Sequence, residues 1–311
     1  MPNMTLFCRS ATTFNKSGAL DEDAFRKYLQ RFVDARLGVS LASGVSGECN
    51  AMTRDELRRT YEIGVEVCKG DIPVYASLPG SATARETIEF ANLAIGAGID
   101  IVNVYGPASH GYRPTDPELI AYFDDVLDAI RHPVALAPNP VMGYKPSAAL
   151  IADVCNRHPH VVTVNFSNLD ENYFIGLKDN LKREVETYVP VPGSLHTLTL
   201  GATGLIDTHA NILPKTHRRY IDLYESGNFE ELGRVYTDIK RYILYIAKWG
   251  AVRSIKMSLN VLKLPGAGGI PRRPFLLPPD DEIARFTEGL LRLRIPEIDE
   301  LARAAGLKMP E

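Results

Sequence analysis

GVSLASGVSGECNAMTRDE, residues 38–56, holds one complete strand–turn–helix unit. The apolar run at 38–43 reads as a buried strand. GVSGE (44–48) is small and polar enough to turn sharply. Thr53 followed three residues later by Glu56 is a capping box, and Met52 and Leu57 stand where a hydrophobic staple needs them. A strand that passes through a turn into a capped helix is the building block of a parallel sheet.

The unit recurs along the chain. Seven further apolar runs read as strands: MTLFC (4–8), IPVYAS (72–77), DIVNVY (100–105), PVALAP (133–138), VVTVN (161–165), VETYVPV (185–191) and GLIDTH (204–209). Most are separated by helical periodicity with start signals. The first helix follows Asp21, with Phe25, Leu29, Phe32, Val33 and Leu37 on one stripe and Gly38 as its expected stop. Thr83 with Glu86, Thr115–Asp116 before Pro117, Pro146–Ser147 and Pro214 open others, and Gly227 ends the last. Strands and helices alternating at roughly 30-residue spacing predict parallel strands with right-handed crossovers. Eight such strands predict an α/β fold, a closed (β/α)8 TIM barrel over 1–227. No glycine-rich dinucleotide turn follows the first strand, where residues 9–18 read RSATTFNKSG. Residues 228–311 carry further helical pattern, at 229–250, 251–263 and 280–305, broken by LPGAGGIPRRPFLLPP. They predict a C-terminal helical extension of the same domain.

Composition sets the outer bounds. The chain is 45% hydrophobic and 23% charged, enough for a full core, and its net charge of −3 is spread over interspersed acids and bases. That balance gives no reason to expect a nucleic-acid or membrane partner. The four cysteines, Cys8, Cys49, Cys68 and Cys155, form no CxxC pair, so reduced thiols and a cytoplasmic location are expected. The N-terminus lacks the pattern of a secretory signal. No cofactor motif is present, and no cofactor is expected.

A barrel of this kind works at the C-terminal ends of its strands. Those ends supply Ser43–Glu48, Ser77, Tyr105, Asn139, Asn165, Ser194–His196, and Asp207 with His209. The turn Gly44–Val45–Ser46 would offer backbone N–H groups and a hydroxyl to a carboxylate, or it would be a tight turn and nothing more. Asp207 and His209 are two residues apart, so on a strand they share a face. There the pair would serve acid–base work, or a metal if a further ligand joined it, or it would be a structural pair packed against helices.

The chain resembles the dihydrodipicolinate synthase and N-acetylneuraminate lyase family. The resemblance rests on GVSGE with TRDE, GALD (18–21), GATG (201–204), HANILPK (209–215), SGNFEE (226–231) and SIKMSLNVLKL (254–264), and spans nearly the whole length. It implies a barrel with C-terminal helices, a homotetramer built as a dimer of dimers, and a pocket for pyruvate or a related 2-oxo acid. It also implies a lysine on the sixth strand that forms a Schiff base with the substrate. Asn165 stands at that position, and an amide cannot form an iminium. The fifth strand's expected Tyr-Asn-x-Pro reads Ala137–Pro138–Asn139–Pro140, so that tyrosine is missing too, and an expected arginine falls near Met142. A second tyrosine of the family falls in YGPASHGYRP (105–114), where Tyr112 or His110 would fill its place. Lys256 matches a helix lysine that is not the Schiff base; Lys145, after the fifth strand, would reach inward or start a helix with Pro146, and Lys215 reads as a helix-start residue.

These readings lead to a lyase acting on a small carboxylate substrate without a covalent intermediate. Gly44, Val45, Ser46, Asn139 and Asp207 would bind the substrate, and Asn165, His209 and Tyr112 would act on it. The alternative is a catalytically inactive paralogue that binds a 2-oxo acid or sugar acid as a sensor or partner subunit.

Overall fold

A computed structural model describes residues 4–108, 111, 113–166 and 170–310. Eight strands close into one barrel in chain order. They are β1 (Thr5–Arg9), β2 (Gly38–Leu41), β3 (Val74–Ser77), β4 (Ile101–Tyr105), β5 (Val134–Ala137), β6 (Val161–Asn165), β7 (Glu186–Val189) and β8 (Gly204–Asp207). Every neighbouring pair is parallel, including β8 with β1. The expected (β/α)8 barrel with a C-terminal helical extension is the observed architecture.

Helices surround the strands: α1 (Glu22–Ala35), α2 (Arg54–Cys68), α3 (Ala84–Gly96), α4 (Asp116–Ala129), α5 (Ala148–Arg157), α6 (Glu171–Asn180), α7 (Ser194–Thr199) and α8 (Pro214–Glu225). Their start signals are used as the chemistry requires. The Thr53 hydroxyl accepts from the Glu56 N–H, and the Glu56 carboxylate accepts from the Thr53 N–H at 3.0 Å. Thr115 and Glu118 repeat the arrangement at α4. The first helix stops earlier than its sequence suggested. Arg36 takes the left-handed conformation at φ 54° and caps α1, while Gly38 already belongs to β2.

Gly38 has another job. A Cβ there would lie 2.7 Å from the Phe7 ring, and one at Gly204 would lie 2.0 Å from Tyr188. Both glycines make room for aromatic rings inside the barrel. Those rings, with Tyr75, Ala135 and Ile206, fill the interior below the mouth. Side chains alternate along a strand. Phe7 therefore brings Arg9 to the inner face, Tyr75 brings Ser77, and Ile101 brings Asn103 and Tyr105. The larger apolar cluster lies outside the strands, under the helices. Each fully buried leucine or phenylalanine in it contributes roughly 1.5–3 kcal/mol.

The C-terminal extension is α9 (Phe229–Ile246), α10 (Ala251–Val261), α11 (Asp280–Arg292) and α12 (Pro296–Ala304). The expected helix over 280–305 is two helices, because Pro296 starts a new one. Ion pairs tie the extension to the barrel, among them two made with the segment after β2. Lys256 of α10 is 3.2 Å from Glu48 of the turn after β2, with both side chains 2% exposed. Arg272 pairs with Glu56 and donates to the Gly18 carbonyl from Nη2 at 2.7 Å. Among the described residues no helix is long and apolar enough to cross a membrane.

Candidate active site

The last inward positions of β1, β2, β3, β4 and β6 are polar. Arg9, Ser40, Ser77, Asn103, Tyr105 and Asn165 converge there, above the aromatic layer. The Ser40 and Ser77 hydroxyls are 3.0 Å apart. Asn165 Nδ2 donates to Asn103 Oδ1 at 2.8 Å, and both amides are buried. Asn165 Oδ1 has no hydrogen-bond partner among the described residues. Buried polar atoms are rarely left so, and an exception calls for an explanation.

Arg9 and Tyr105 are only half-buried, so solvent reaches the cluster beside them. Arg9 Nη2 donates to the Phe166 carbonyl at 3.2 Å, one residue beyond Asn165. Burial pushes the Tyr105 phenol up, and the nearby Arg9 charge opposes that shift; Ser77 and Asn103 lie beside the hydroxyl. The phenol therefore stays protonated at neutral pH and can donate. A fixed cation, a phenol, two amides and two hydroxyls at one barrel mouth can hold a small anion and polarise a carbonyl or hydroxyl.

Asn165 is thus where the sequence reading put it, but closed over rather than open, at 1% exposure. Three donors of the GVSGE turn already have partners inside the protein. The Ser46 hydroxyl donates to the Arg9 carbonyl at 2.6 Å, Gly47 N–H to Ser43 O at 2.7 Å, and Val45 N–H to Ser43 Oγ at 3.2 Å. Gly44 and Val45 are exposed. The Asn139 side chain accepts from Val141 N–H at 3.0 Å and so caps the short turn Pro140–Met142. Tyr112 and His110 lie outside the described residues.

Asp207 and His209 meet, but not at the mouth. Ile206 belongs to the interior layer, so Asp207 points the other way, toward the helices. His209 has already left the strand, in the turn His209–Asn211, and its N–H donates to Asp207 Oδ1 at 2.6 Å. Its Nδ1 is 3.0 Å from the same oxygen, and His217 Nε2 of α8 is 3.3 Å from it. Burial alone would raise the Asp207 pKa; the two imidazoles outweigh it and hold the carboxyl well below the usual carboxylate range. The His209 ring lines a small cavity of about 150 Å³ against α9 and α10. Asp207 and His217 are buried and His209 is half-buried, so the residues expected to bind substrate and carry protons face the helices behind the barrel wall. His196 sits on α7, exposed and paired with Glu171 at 2.6 Å.

Three mouth residues, Arg9, Ser40 and Asn103, escaped the sequence reading. Arg9 did because the first strand was ended at Cys8; one more residue of alternation from Phe7 would have turned it inward. Asn103 had a visible signal, a lone amide inside the apolar run DIVNVY.

The likenesses to known proteins run along the whole barrel. A synthase from Streptomyces coelicolor, 4-hydroxy-tetrahydrodipicolinate synthase 1, is 28% identical over 304 residues, covering 96% of this chain and 94% of that protein. The L-threo-3-deoxy-hexylosonate aldolase of Hypocrea jecorina is 27% identical, covering 93% of each. Among solved structures, dihydrodipicolinate synthase from Aquifex aeolicus superposes with a TM-score of 0.85 at 18% identity, over 94% of this chain and 99% of that one. A prophage protein from E. coli K12, solved in complex with pyruvate, gives 0.83 at 19% identity, over 94% and 99%. The reading of the chain as an enzyme of lyase type agrees with the activities for which the two sequence relatives are named. The sequence pattern of the Dihydrodipicolinate synthetase family matches residues 4–290, from the first described residue to near the end of α11, and to this family the chain belongs.

Proposed function

We propose that this chain is a lyase that makes or breaks a carbon–carbon or carbon–oxygen bond in a small 2-oxo acid or sugar acid, without a Schiff-base intermediate. The observation that carries the reading is Asn165, an amide at the tip of β6, where the family resemblance implies the reactive amine. The candidate substitutes are held elsewhere. Lys145 Nζ is 3.1 Å from Asp170 and 3.9 Å from the centre of the Tyr173 ring. Lys215 pairs with Glu300 at 2.6 Å, and Lys256 is the buried partner of Glu48. In this reading Asn165 orients a substrate carbonyl or hydroxyl, and the Tyr105 phenol supplies a proton. The aldolase relative, named for a hexylosonate, supports a sugar acid as the substrate class.

Borohydride added with pyruvate tests the mechanism, since it fixes any iminium as a stable amine. The intact mass of the protein is expected to stay unchanged. An adduct on any lysine, Lys145 above all, would overturn the non-covalent reading.

One observation favours the second reading, a ligand-binding paralogue without catalysis: Asn165 is 1% exposed and closed onto Asn103. A 2-oxo acid or sugar acid that raises the melting temperature yet is never turned over would support it.

A further inference from the structure

We propose that Arg9 is the residue that holds the substrate's carboxylate, in place of the GVSGE turn. The proposal rests on the reading that the ligand at this mouth is a small carboxylate.

Arg9 is the last residue of β1 and shares the inner face with Phe7. Among the described residues no acidic side chain comes within ion-pair distance of it. Other arginines in the fold are answered by several acceptors. Arg272 has Glu56 and the carbonyls of Gly18 and Ala51, and Arg183 has the carbonyls of Cys155, Glu184, His158 and Val161. Among the described residues Arg9 donates a single side-chain hydrogen bond, to the Phe166 carbonyl. That bond fixes the guanidinium beside the tip of β6, and no other described residue accepts from its planar fork.

A half-buried guanidinium without an ion-pair partner among the described residues costs desolvation free energy that the distant Asp207 charge only partly offsets. Its fork matches a carboxylate with two parallel N–H···O bonds. The turn is a poorer candidate, because the Ser46 hydroxyl and the N–H groups of Val45 and Gly47 already have partners inside the protein. The Ser46 hydroxyl in fact grips the carbonyl of Arg9 itself, so the turn positions the arginine's backbone. A carboxylate on Arg9 would lie beside the Tyr105 phenol and next to Asn165. The carbon attached to the carboxylate would then face the groups that can polarise its oxygen. This geometry selects acids with an oxo or hydroxy group adjacent to the carboxylate.

The test uses pyruvate and its neutral isostere pyruvamide, titrated calorimetrically into the full-length protein and into Arg9→Gln and Arg9→Lys. The native protein should bind pyruvate at least about tenfold more tightly than pyruvamide. Arg9→Gln should lose about 10- to 100-fold in pyruvate affinity, the loss of hydrogen bonds to a charged group, and should no longer distinguish the two ligands. Arg9→Lys should keep the preference at reduced affinity, because an ammonium is a point charge and not a fork. With no ligand present, the melting temperature of Arg9→Gln should be unchanged or higher, since an uncompensated charge has been removed. If Arg9→Gln does not fold, the result marks a structural arginine and overturns the proposal, unless Arg9→Lys folds and binds pyruvate more weakly with the preference kept. Native affinity and preference in Arg9→Gln would overturn the role of Arg9 while leaving the non-covalent reading intact, because borohydride trapping does not depend on this residue. A native protein that binds neither ligand, or both equally, would overturn the carboxylate reading and the proposal together.

Discussion

Lys256→Met is expected to lower the stability of the protein by about 3–5 kcal/mol, the cost of removing one partner of a buried ion pair. Lys256 Nζ lies 3.2 Å from Glu48 Oε1, and both side chains are 2% exposed. The ammonium also donates to the Thr12 carbonyl at 2.5 Å and stands 4.8 Å from the centre of the Phe14 ring. Methionine fills the space but leaves a carboxylate buried without a counter-charge. Burial pulls the Lys256 pKa down, and Glu48 opposes that pull, so the pair is worth more as a unit than either residue alone. Pairing the change with Glu48→Gln should recover most of the loss, since Gln keeps an acceptor for the Arg272 N–H that Glu48 Oε2 now binds at 2.7 Å. Chemical denaturation of both variants decides the matter. A single variant within 1 kcal/mol of the native protein, on the usual scale of a surface pair, would show that Glu48 finds another partner.

Asp207→Ala should be similarly costly, about 3–5 kcal/mol, and should leave ligand binding at the mouth intact in whatever fraction folds. The carboxylate is 2% exposed and answers His209 from one side and His217 from the other. Its loss strands two imidazoles behind β8. The sign of the pH dependence follows from the depressed pKa of Asp207. A carboxyl whose folded pKa lies below its unfolded value of about 3.9 stabilises the fold above that pH. The contribution drains away as the pH falls below about 4 toward the lower folded value. Native protein should therefore lose stability steeply on that acid limb, and Asp207→Ala should show a shallower slope there. Equal slopes would mean that Asp207 is not the group being titrated. Loss of ligand binding with native stability would place Asp207 at the mouth after all.

The fold was legible because its repeating signals are local. VVTVN at 161–165 is β6 to the residue, since a run of β-branched side chains buried on both faces except for half-buried Val162 has few alternatives. Capping residues placed α2 and α4 in the same way. The short helices α6 and α7 carry weak periodicity and escaped the reading. At the site, period-two alternation put Asp207 and His209 on one strand face. His209 instead lies in the turn after β8 and meets Asp207 from there, and the way Asp207 points depends on the closure of β8 against β1. The same alternation, carried one residue past Cys8, would have found Arg9. The turn after β2 was read for the donors it exposes, but how far those donors bond one another depends on backbone geometry that residue identities do not specify.

Asn165 remains the centre of the account, and Asn165→Ala is its most direct test. Among the described residues, the change removes a side chain that makes one internal hydrogen bond, from Nδ2 to Asn103, and carries one unpartnered oxygen. A residue kept for the fold would be better satisfied than that. Calorimetric titration with pyruvate, beside a melting curve of the ligand-free protein, separates the two roles. The account predicts binding weaker by roughly 1–3 kcal/mol, the range for a polar group lost from a desolvated site, at a nearly unchanged melting temperature. Native affinity in a variant that melts several degrees earlier would contradict it and make Asn165 a structural amide.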